Sequence, residues 1–228
     1  MKKLLIFLIG ATLSLSSGIA QQVETAYDTT HRPRNFHLQV AQFKTYPNAD
    51  TDIIFLGNSL TAGTKWHELL EDPNCKNRGI SGDTTFGILE RLDEVVEGNP
   101  AKVFLLIGIN DISRNFPVET ILKNHRKIVK RIQDQSPRTK IYLQTLLPVN
   151  NTFDRYPNHY NKDFQIAAVN EGLKQLAQDY GLVLVDLHPH FLDQNGRLSK
   201  AYTEEGLHLN ADGYLLWAQI LKPYINQI

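Results

Sequence analysis

The amino-acid sequence predicts an α/β fold, a three-layer α/β/α sandwich around a mainly parallel sheet of five strands. Two observations predict it: short apolar runs recur between turn residues, and segments of helical periodicity lie between most of them. Strands that alternate with helices are joined by crossover connections, which make neighbouring strands parallel. The loops that follow such strands meet at one edge of the sheet, where this class of fold binds its ligands.

Four continuous apolar runs supply the clearest strands, at residues 52–57, 102–108, 140–147 and 182–188. A fifth, weaker strand is expected around residues 75–77. Runs of this length, bounded by turn signals, are typical of strands that are buried on both faces of a sheet.

Apolar residues spaced three and four apart predict helices at residues 117–134, 161–180 and 210–226. Asn210 is expected to cap the last of these helices, because its short side chain can accept a hydrogen bond from the first turn. In the middle helix, Phe164 is expected on the buried face with the alanines and leucines that follow it. His125, in the first of these helices, is expected to be a partly buried surface histidine.

The first twenty residues are predicted to be a signal peptide. Lys2 and Lys3 precede an apolar stretch that ends in small residues, with cleavage expected after Ala20. The mature chain, residues 21–228, is then about 208 residues long (228 − 20) and is expected to be a single domain. The protein is therefore expected to be exported, to the periplasm or the extracellular space.

Composition narrows the range of partners. The chain has 24 Lys+Arg and 24 Asp+Glu, so its net charge favours neither nucleic acid nor an anionic membrane surface as a partner. After the predicted signal peptide, no segment is long and apolar enough to cross a membrane. Cys75 is the only cysteine, which excludes an intrachain disulfide. The oligomeric state is left open.

Polar residues that could carry out acyl chemistry follow the predicted strands. Ser59 comes after the first strand, Gly82 after the second, Asn110 after the third and His208 after the fifth. Each has a simpler interpretation by itself: a serine after a glycine often caps a helix, and an Asn-Asp pair often forms an Asx turn. Asp83 and Thr84 are expected to form a helix cap.

Four blocks in order, "GNS", "SGD", "GIND" and "EGLH", resemble the SGNH, or GDSL-like, hydrolase superfamily. The resemblance implies a flavodoxin-like sheet and assigns the nucleophile to Ser59 and the general base to His208. It also implies an oxyanion hole made by the backbone N–H groups of Ser59 and Gly82 with the side-chain amide of Asn110. A serine needs such a base to become nucleophilic, and the oxyanion needs donors already aimed at it.

The chain departs from the family pattern at two positions. Asn58 stands where the family usually has aspartate, and we interpret it as a scaffold for the turn. Glu205 stands where the family usually has the aspartate that orients the histidine. Glu205 keeps the charge, although Asp186 or a backbone carbonyl could orient His208 instead.

The loop after the fourth strand carries Tyr156, His159 and Tyr160. Long loops at the ligand edge are often functional, so we expect these residues to line the substrate pocket, against a sugar ring or an acyl chain. His188 and His190 lack a third ligand at a suitable spacing, so no metal site is expected.

The leading hypothesis is therefore a serine esterase that hydrolyses short-chain esters through an acyl-enzyme, with O-acetyl groups on a carbohydrate or a small molecule as substrate and no metal or organic cofactor. A lysophospholipase, a thioesterase or an arylesterase of the same superfamily is the alternative. Two weaker hypotheses are a flavodoxin-like cofactor-binding protein and a carbohydrate-binding protein that has lost catalysis.

Overall fold

The computed structural model describes residues 27–226. The predicted signal peptide lies outside these residues. The strands of the sheet are β1 (Ile53–Gly57), β2 (Cys75–Gly79), β3 (Lys102–Leu106), β4 (Lys140–Gln144) and β5 (Val183–Val185). All neighbouring strands are parallel, and their order in the sheet is β2-β1-β3-β4-β5. This is the strand order of flavodoxin-like folds, and it confirms the predicted fold class.

The helices of the described region connect and cover these strands. They are α1 (Phe36–Phe43), α2 (Ser59–Ala62), α3 (Trp66–Leu69), α4 (Thr85–Arg91), α5 (Asp93–Val96), α6 (Ile109–Ser113), α7 (Val118–Gln135), α8 (Asp163–Tyr180) and α9 (Ala211–Ile225). Asn210 caps α9 as predicted, because its side chain accepts a hydrogen bond from Gly213 N–H at 3.0 Å. Among residues 27–226, no helix has both the length and the apolar character of a membrane span.

Side chains alternate between two cores, one on each face of the sheet. Ile54 and Leu56 of β1 point into the core that α4, α7 and α8 cover, whereas Ile53 and Phe55 point into the core under α3 and α9. Alternation of this kind follows from the two-residue period of a strand. With both faces covered, the carboxyl edge of the sheet is left for the site.

An aromatic row ties β1, β3 and β4 together on the α9 face. Phe55, Phe104 and Tyr142 are register partners, with ring centroids 5.1 and 4.4 Å apart in stacked geometry. Trp66 of α3 stacks on Phe55 at 4.1 Å. These buried rings pack the three strands against one another and against α3.

Two expectations about burial are wrong. Phe164 is 92% exposed, because the buried face of α8 runs through Ile166, Val169 and Leu173 instead. His125, expected to be a partly buried surface residue, is fully buried in α7, where its Nε2–H donates to the carbonyl of Ile107 at 3.2 Å. Burial lowers the pKa of His125 to about 4.

Candidate active site

The site lies at the carboxyl edge of the sheet, where the turn after β1 presents Ser59. Asn58 is fully buried and accepts a hydrogen bond from Leu60 N–H at 3.0 Å, so it caps the short helix that Ser59 begins. This agrees with the interpretation of Asn58 as a turn scaffold. The cap holds the backbone on both sides of Ser59, while the Ser59 side chain remains partly exposed.

His208 connects Ser59 to Glu205. The Nε2 atom of His208 lies 2.9 Å from Ser59 Oγ, and its Nδ1 atom lies 3.0 Å from Glu205 Oε1. Since Glu205 Oε1 can only accept, Nδ1 carries a proton and Nε2 is left to accept the serine proton. Ser59, His208 and Glu205 therefore have the geometry of a nucleophile, a base and an orienting carboxylate.

The loop before His208 allows the longer glutamate to fill the aspartate position. Glu205 Oε1 also accepts hydrogen bonds from the backbone N–H groups of Leu207 and His208, so its side chain folds back over its own turn. Gly206 makes this turn possible: its φ is +84°, and a Cβ there would lie 2.5 Å from the carbonyl oxygen of Asn150.

Thr203, which the sequence analysis did not single out, braces the same loop. Its buried hydroxyl donates to the carbonyl of His208 at 2.7 Å and accepts hydrogen bonds from the N–H groups of Glu205 and Gly206. A Thr two residues before Glu205 could have suggested a side-chain turn of this kind. These hydrogen bonds restrain residues 203–208 and so help to hold His208 close to Ser59.

Asn110 is held in one orientation by two partners. Its Nδ2 donates to the carbonyl of Asp83 at 2.9 Å, and its Oδ1 lies 3.0 Å from Nε2 of His159. Because Oδ1 can only accept, His159 must carry its proton on Nε2. One Nδ2–H of Asn110 is engaged by Asp83, and the second is left for a substrate oxygen.

His159 therefore contacts a predicted oxyanion-hole residue. Burial lowers the pKa of His159 to about 4, and the nearby charges of His208 and Arg114 act in the same direction. The imidazole is then neutral at ordinary pH. The expected contact between His159 and the substrate stays a prediction, but its hydrogen bond gives it a second role, as a positioning residue for Asn110.

The backbone supplies two further donors. Gly82 has a φ of +80°, a conformation that favours glycine, and it lies in the loop between β2 and α4. Within residues 27–226, the N–H groups of Ser59 and Gly82 have no hydrogen-bond partner. Both remain available to an oxyanion.

A buried ion pair holds the loop that carries Gly82. Arg91 Nε lies 2.9 Å from Asp83 Oδ2, and both side chains are fully buried. The Nη2 of Arg91 also donates to the carbonyls of Gly57 and Arg78, at 3.1 and 2.9 Å. Arg91 thus ties the end of β1 to the residue after Gly82, which the sequence could not reveal because most arginines are exposed.

The expected helix cap at Asp83 and Thr84 is only partly correct. Asp83 Oδ1 accepts from Thr84 N–H at 2.9 Å, but the Thr84 side chain makes no capping hydrogen bond. Asp111 caps α4 instead: its carboxylate accepts from Thr85 N–H at 3.1 Å and from the Thr85 hydroxyl at 2.5 Å. Complete burial raises the pKa of Asp111 to about 7.

Tyr156 and Tyr160 differ in their exposure to the site. The ring of Tyr156 packs edge-on against the His208 imidazole, with centroids 5.2 Å apart. Tyr160 is buried, and its hydroxyl donates to the carbonyl of Glu205 at 2.6 Å and accepts from Tyr156 N–H at 3.2 Å. Tyr160 therefore stabilises the loop that carries Glu205 and His208. The expected contacts of Tyr156 and Tyr160 with the substrate stay predictions.

The remaining candidates lie outside this constellation. Asp186 accepts a hydrogen bond from the Thr145 hydroxyl at 2.9 Å, so the structure places Glu205 and not Asp186 against His208. His188 Nδ1 donates to the carbonyl of Leu146 at 2.9 Å. Over the described part of the chain, no three His, Cys, Asp or Glu side chains are grouped as a metal site requires.

Comparison with known proteins shows which family the chain belongs to. Residues 55–216 match the GDSL-like Lipase/Acylhydrolase family. A human protein named platelet-activating factor acetylhydrolase IB subunit alpha2 is 29% identical over 181 residues, which cover 76% of this chain and 74% of that protein. A solved structure of a Streptococcus pneumonia protein whose name refers to platelet activating factor is 32% identical, with a TM-score of 0.77 over 84% of this chain and 92% of the other.

A more distant structure, that of an acetyl xylan esterase, has the same fold. It is 21% identical, with a TM-score of 0.63 over 76% of this chain and 98% of the other. Because the family match spans most of the chain and includes Ser59, Gly82, Asn110 and His208, the chain belongs to the GDSL-like lipase/acylhydrolase family. It is an ester hydrolase.

Proposed function

We propose that this hydrolase removes short acyl groups, O-acetyl groups above all, from a carbohydrate or small-molecule alcohol through an acyl-enzyme on Ser59. The chain of hydrogen bonds from Ser59 Oγ through His208 to Glu205 carries this proposal, at 2.9 and 3.0 Å. These three side chains need not rearrange before reaction, because Ser59 Oγ is already hydrogen-bonded to His208 and His208 to Glu205 Oε1.

The reaction has two proton-coupled steps. Ser59 Oγ attacks the ester carbonyl as His208 Nε2 takes the hydroxyl proton, and the same Nε2–H then protonates the leaving alcohol as the C–O bond breaks. His208 Nε2 then takes a proton from water as the water attacks the acyl-serine, and the same Nε2–H protonates Ser59 Oγ as its bond to the acyl carbon breaks, which releases the acid and regenerates Ser59. Glu205 stabilises the imidazolium that forms in each step.

The oxyanion of each tetrahedral intermediate would be bound by the N–H groups of Ser59 and Gly82 and by the free Nδ2–H of Asn110. These donors are held before the substrate arrives, by the Asn58 cap, the Arg91–Asp83 ion pair and the His159 hydrogen bond. Donors fixed in this way are worth about 3–4 kcal/mol each in the transition state.

One comparison supports a short acyl group. The 29% identical human relative is named as an acetylhydrolase. A carbohydrate substrate agrees with Tyr156, whose partly exposed ring could stack on a sugar.

Esters of one alcohol and different acids test this proposal. Acetyl, octanoyl and palmitoyl p-nitrophenyl esters should give the highest kcat/KM with acetate, and Ser59→Ala should abolish turnover of all three. A preference for the octanoyl or palmitoyl ester would overturn the short-chain proposal. Release of acetate from an O-acetylated glycan tests the alcohol, with the deacetylated glycan as a blank.

We further propose that the chain is exported and that its mature form begins at Gln21, from the charge and apolar pattern of residues 1–20. Amino-terminal sequencing of the protein recovered from an exporting host tests this. A native chain that keeps its first twenty residues would contradict it.

A further inference from the structure

A cavity of about 270 Å³ lies beside the proposed nucleophile and base, lined by residues 155–159 together with Ser113 and Arg114. It shares its wall with the catalytic groups: the ring of Tyr156 packs on His208, and His159 bonds to Asn110. Since ligand pockets for whole small molecules usually measure about 300 to 1,000 Å³, this cavity has room for one part of a substrate.

Two arginines line this cavity. Arg114, the C-cap of α6, follows Asn110 by one helical turn, and its N–H donates to the Asn110 carbonyl at 3.2 Å, so the two residues lie on the same face of α6. Arg114 and His159 line the same cavity, and the charge of Arg114 acts together with burial and the charge of His208 to lower the pKa of His159. The guanidinium of Arg155 lies 5.8 Å from the centroid of the Tyr156 ring.

Within residues 27–226, neither guanidinium has a carboxylate oxygen within 4.0 Å. The nitrogen partner of Arg114 is His31, whose Nε2 lies 2.7 Å from Arg114 Nη2, and burial with the charge of Arg114 lowers the pKa of His31. A neutral His31 accepts the hydrogen bond and orients Arg114 without cancelling its charge.

The cavity lining includes both arginines and no carboxylate, although the chain as a whole has equal numbers of acidic and basic residues. Guanidinium groups bind carboxylate and phosphate oxygens by charge-assisted hydrogen bonds. We infer that the cavity formed by Arg114, residues 155–159 and Ser113 binds a carboxylate or phosphate group carried by the substrate, beside the ester that Ser59 attacks. The inference rests on the proposed function and specifies its substrate as an anionic ester.

The test compares phenyl acetates that carry either an anionic or a neutral group in the para position. The probes are 4-acetoxybenzoate and 4-acetoxyphenyl phosphate, with 4-acetoxybenzamide as the neutral counterpart. The wild-type enzyme should have a higher kcat/KM for at least one anionic ester than for the amide, through a lower KM. The better of the two anions identifies the group as carboxylate or phosphate.

Variants of Arg114 and Arg155 test whether these side chains cause the preference for an anionic ester. Arg114→Gln and Arg155→Gln should each lower kcat/KM for the anionic ester by about three- to tenfold, as expected for a partly exposed charge pair, and leave the neutral ester within about twofold. Arg126→Gln, on the exposed face of α7, is the matched control and should change neither. If a variant fails to fold, the wild-type enzyme still provides a test, since salt should reduce its preference for the anion.

The outcomes separate this inference from the proposed function. A wild-type enzyme that hydrolyses the neutral acetate well and shows no preference for either anion overturns the anion site and leaves the esterase intact. Equal losses on neutral and anionic esters in the Arg114 and Arg155 variants also overturn it. If none of the three acetates is hydrolysed, while a longer acyl ester is, the short-chain proposal fails.

Discussion

Replacing Glu205 by glutamine tests whether its charge stabilises the His208 imidazolium. The substitution keeps an oxygen that can accept from His208 Nδ1 and from the two backbone N–H groups, but it removes the charge. With 3.0 Å between Nδ1 and Oε1, the charges are about 4 Å apart, which corresponds to about 4 kcal/mol at an effective dielectric constant of about 20.

Solvent reduces this interaction, because the side chains of His208 and Glu205 are 32% and 14% exposed. Halving the value for this exposure leaves about 2 kcal/mol, and kcat should therefore fall about 30-fold. Steady-state hydrolysis of p-nitrophenyl acetate measures the change, and thermal unfolding checks that the variant is folded.

Two controls accompany Glu205→Gln. Glu204→Gln makes the same chemical change at the exposed neighbouring residue and should leave kcat unchanged. Glu205→Asp keeps the charge and should retain more activity than the glutamine variant. A Glu205→Gln enzyme with the kcat of the wild type would refute the assignment of Glu205 as the orienting carboxylate.

Three other perturbations have defined outcomes. His159→Phe removes the donor to Asn110 and should lower kcat about five- to tenfold with little change in KM, while His159→Gln should recover part of the loss; an unchanged kcat in His159→Phe would exclude the positioning role. Arg91→Met leaves Asp83 as an unpaired buried charge and should lower the free energy of unfolding by about 3–5 kcal/mol in urea titrations, whereas a loss under 1 kcal/mol would contradict it. Because the pKa of His125 is lowered to about 4 in the folded protein, only the unfolded chain binds a proton at this residue between pH 6.5 and about 4. The free energy of unfolding should therefore fall as the pH drops through that range, and His125→Asn should make the fall less steep. Parallel curves of unfolding free energy against pH for the two proteins would contradict this.

The strands were the most predictable part of the fold, because burial on both faces of a parallel sheet leaves a continuous apolar run. The runs at 52–57 and 102–108 correspond to β1 and β3, and the weak strand around residues 75–77 extends to Gly79 in β2. The predicted strand at 182–188 is shorter, since pairing with β4 covers only Val183–Val185. The structure added the pairing register of the strands and their order in the sheet.

Helix faces were harder to predict, since a helix pattern with several alanines fits more than one face. Phe164 looked like part of the apolar stripe of α8, but it lies two residues before Ile166 and therefore on the face of the helix opposite the buried one. His125 looked like a surface residue because cationic residues flank it, although it lies on the face of α7 that meets the core. Tertiary packing decided both positions.

The pieces of the site were predictable from their places after the strands, and their order along the chain indicated the family. The supporting contacts were not, because they join residues far apart in sequence: His159 to Asn110, and Arg91 to Asp83. The sequence also could not show that the Glu205 side chain reaches His208, because this contact depends on the turn at Gly206.

Covalent labelling tests the central claim, that Ser59 is the nucleophile, most directly. Treating the folded protein with a fluorophosphonate and locating the adduct by mass spectrometry should find one modified residue, Ser59. The adduct should be absent in Ser59→Ala and should form far more slowly in His208→Ala, because the base is then lost. An adduct on another residue, or labelling of Ser59→Ala at the wild-type rate, would contradict the assignment.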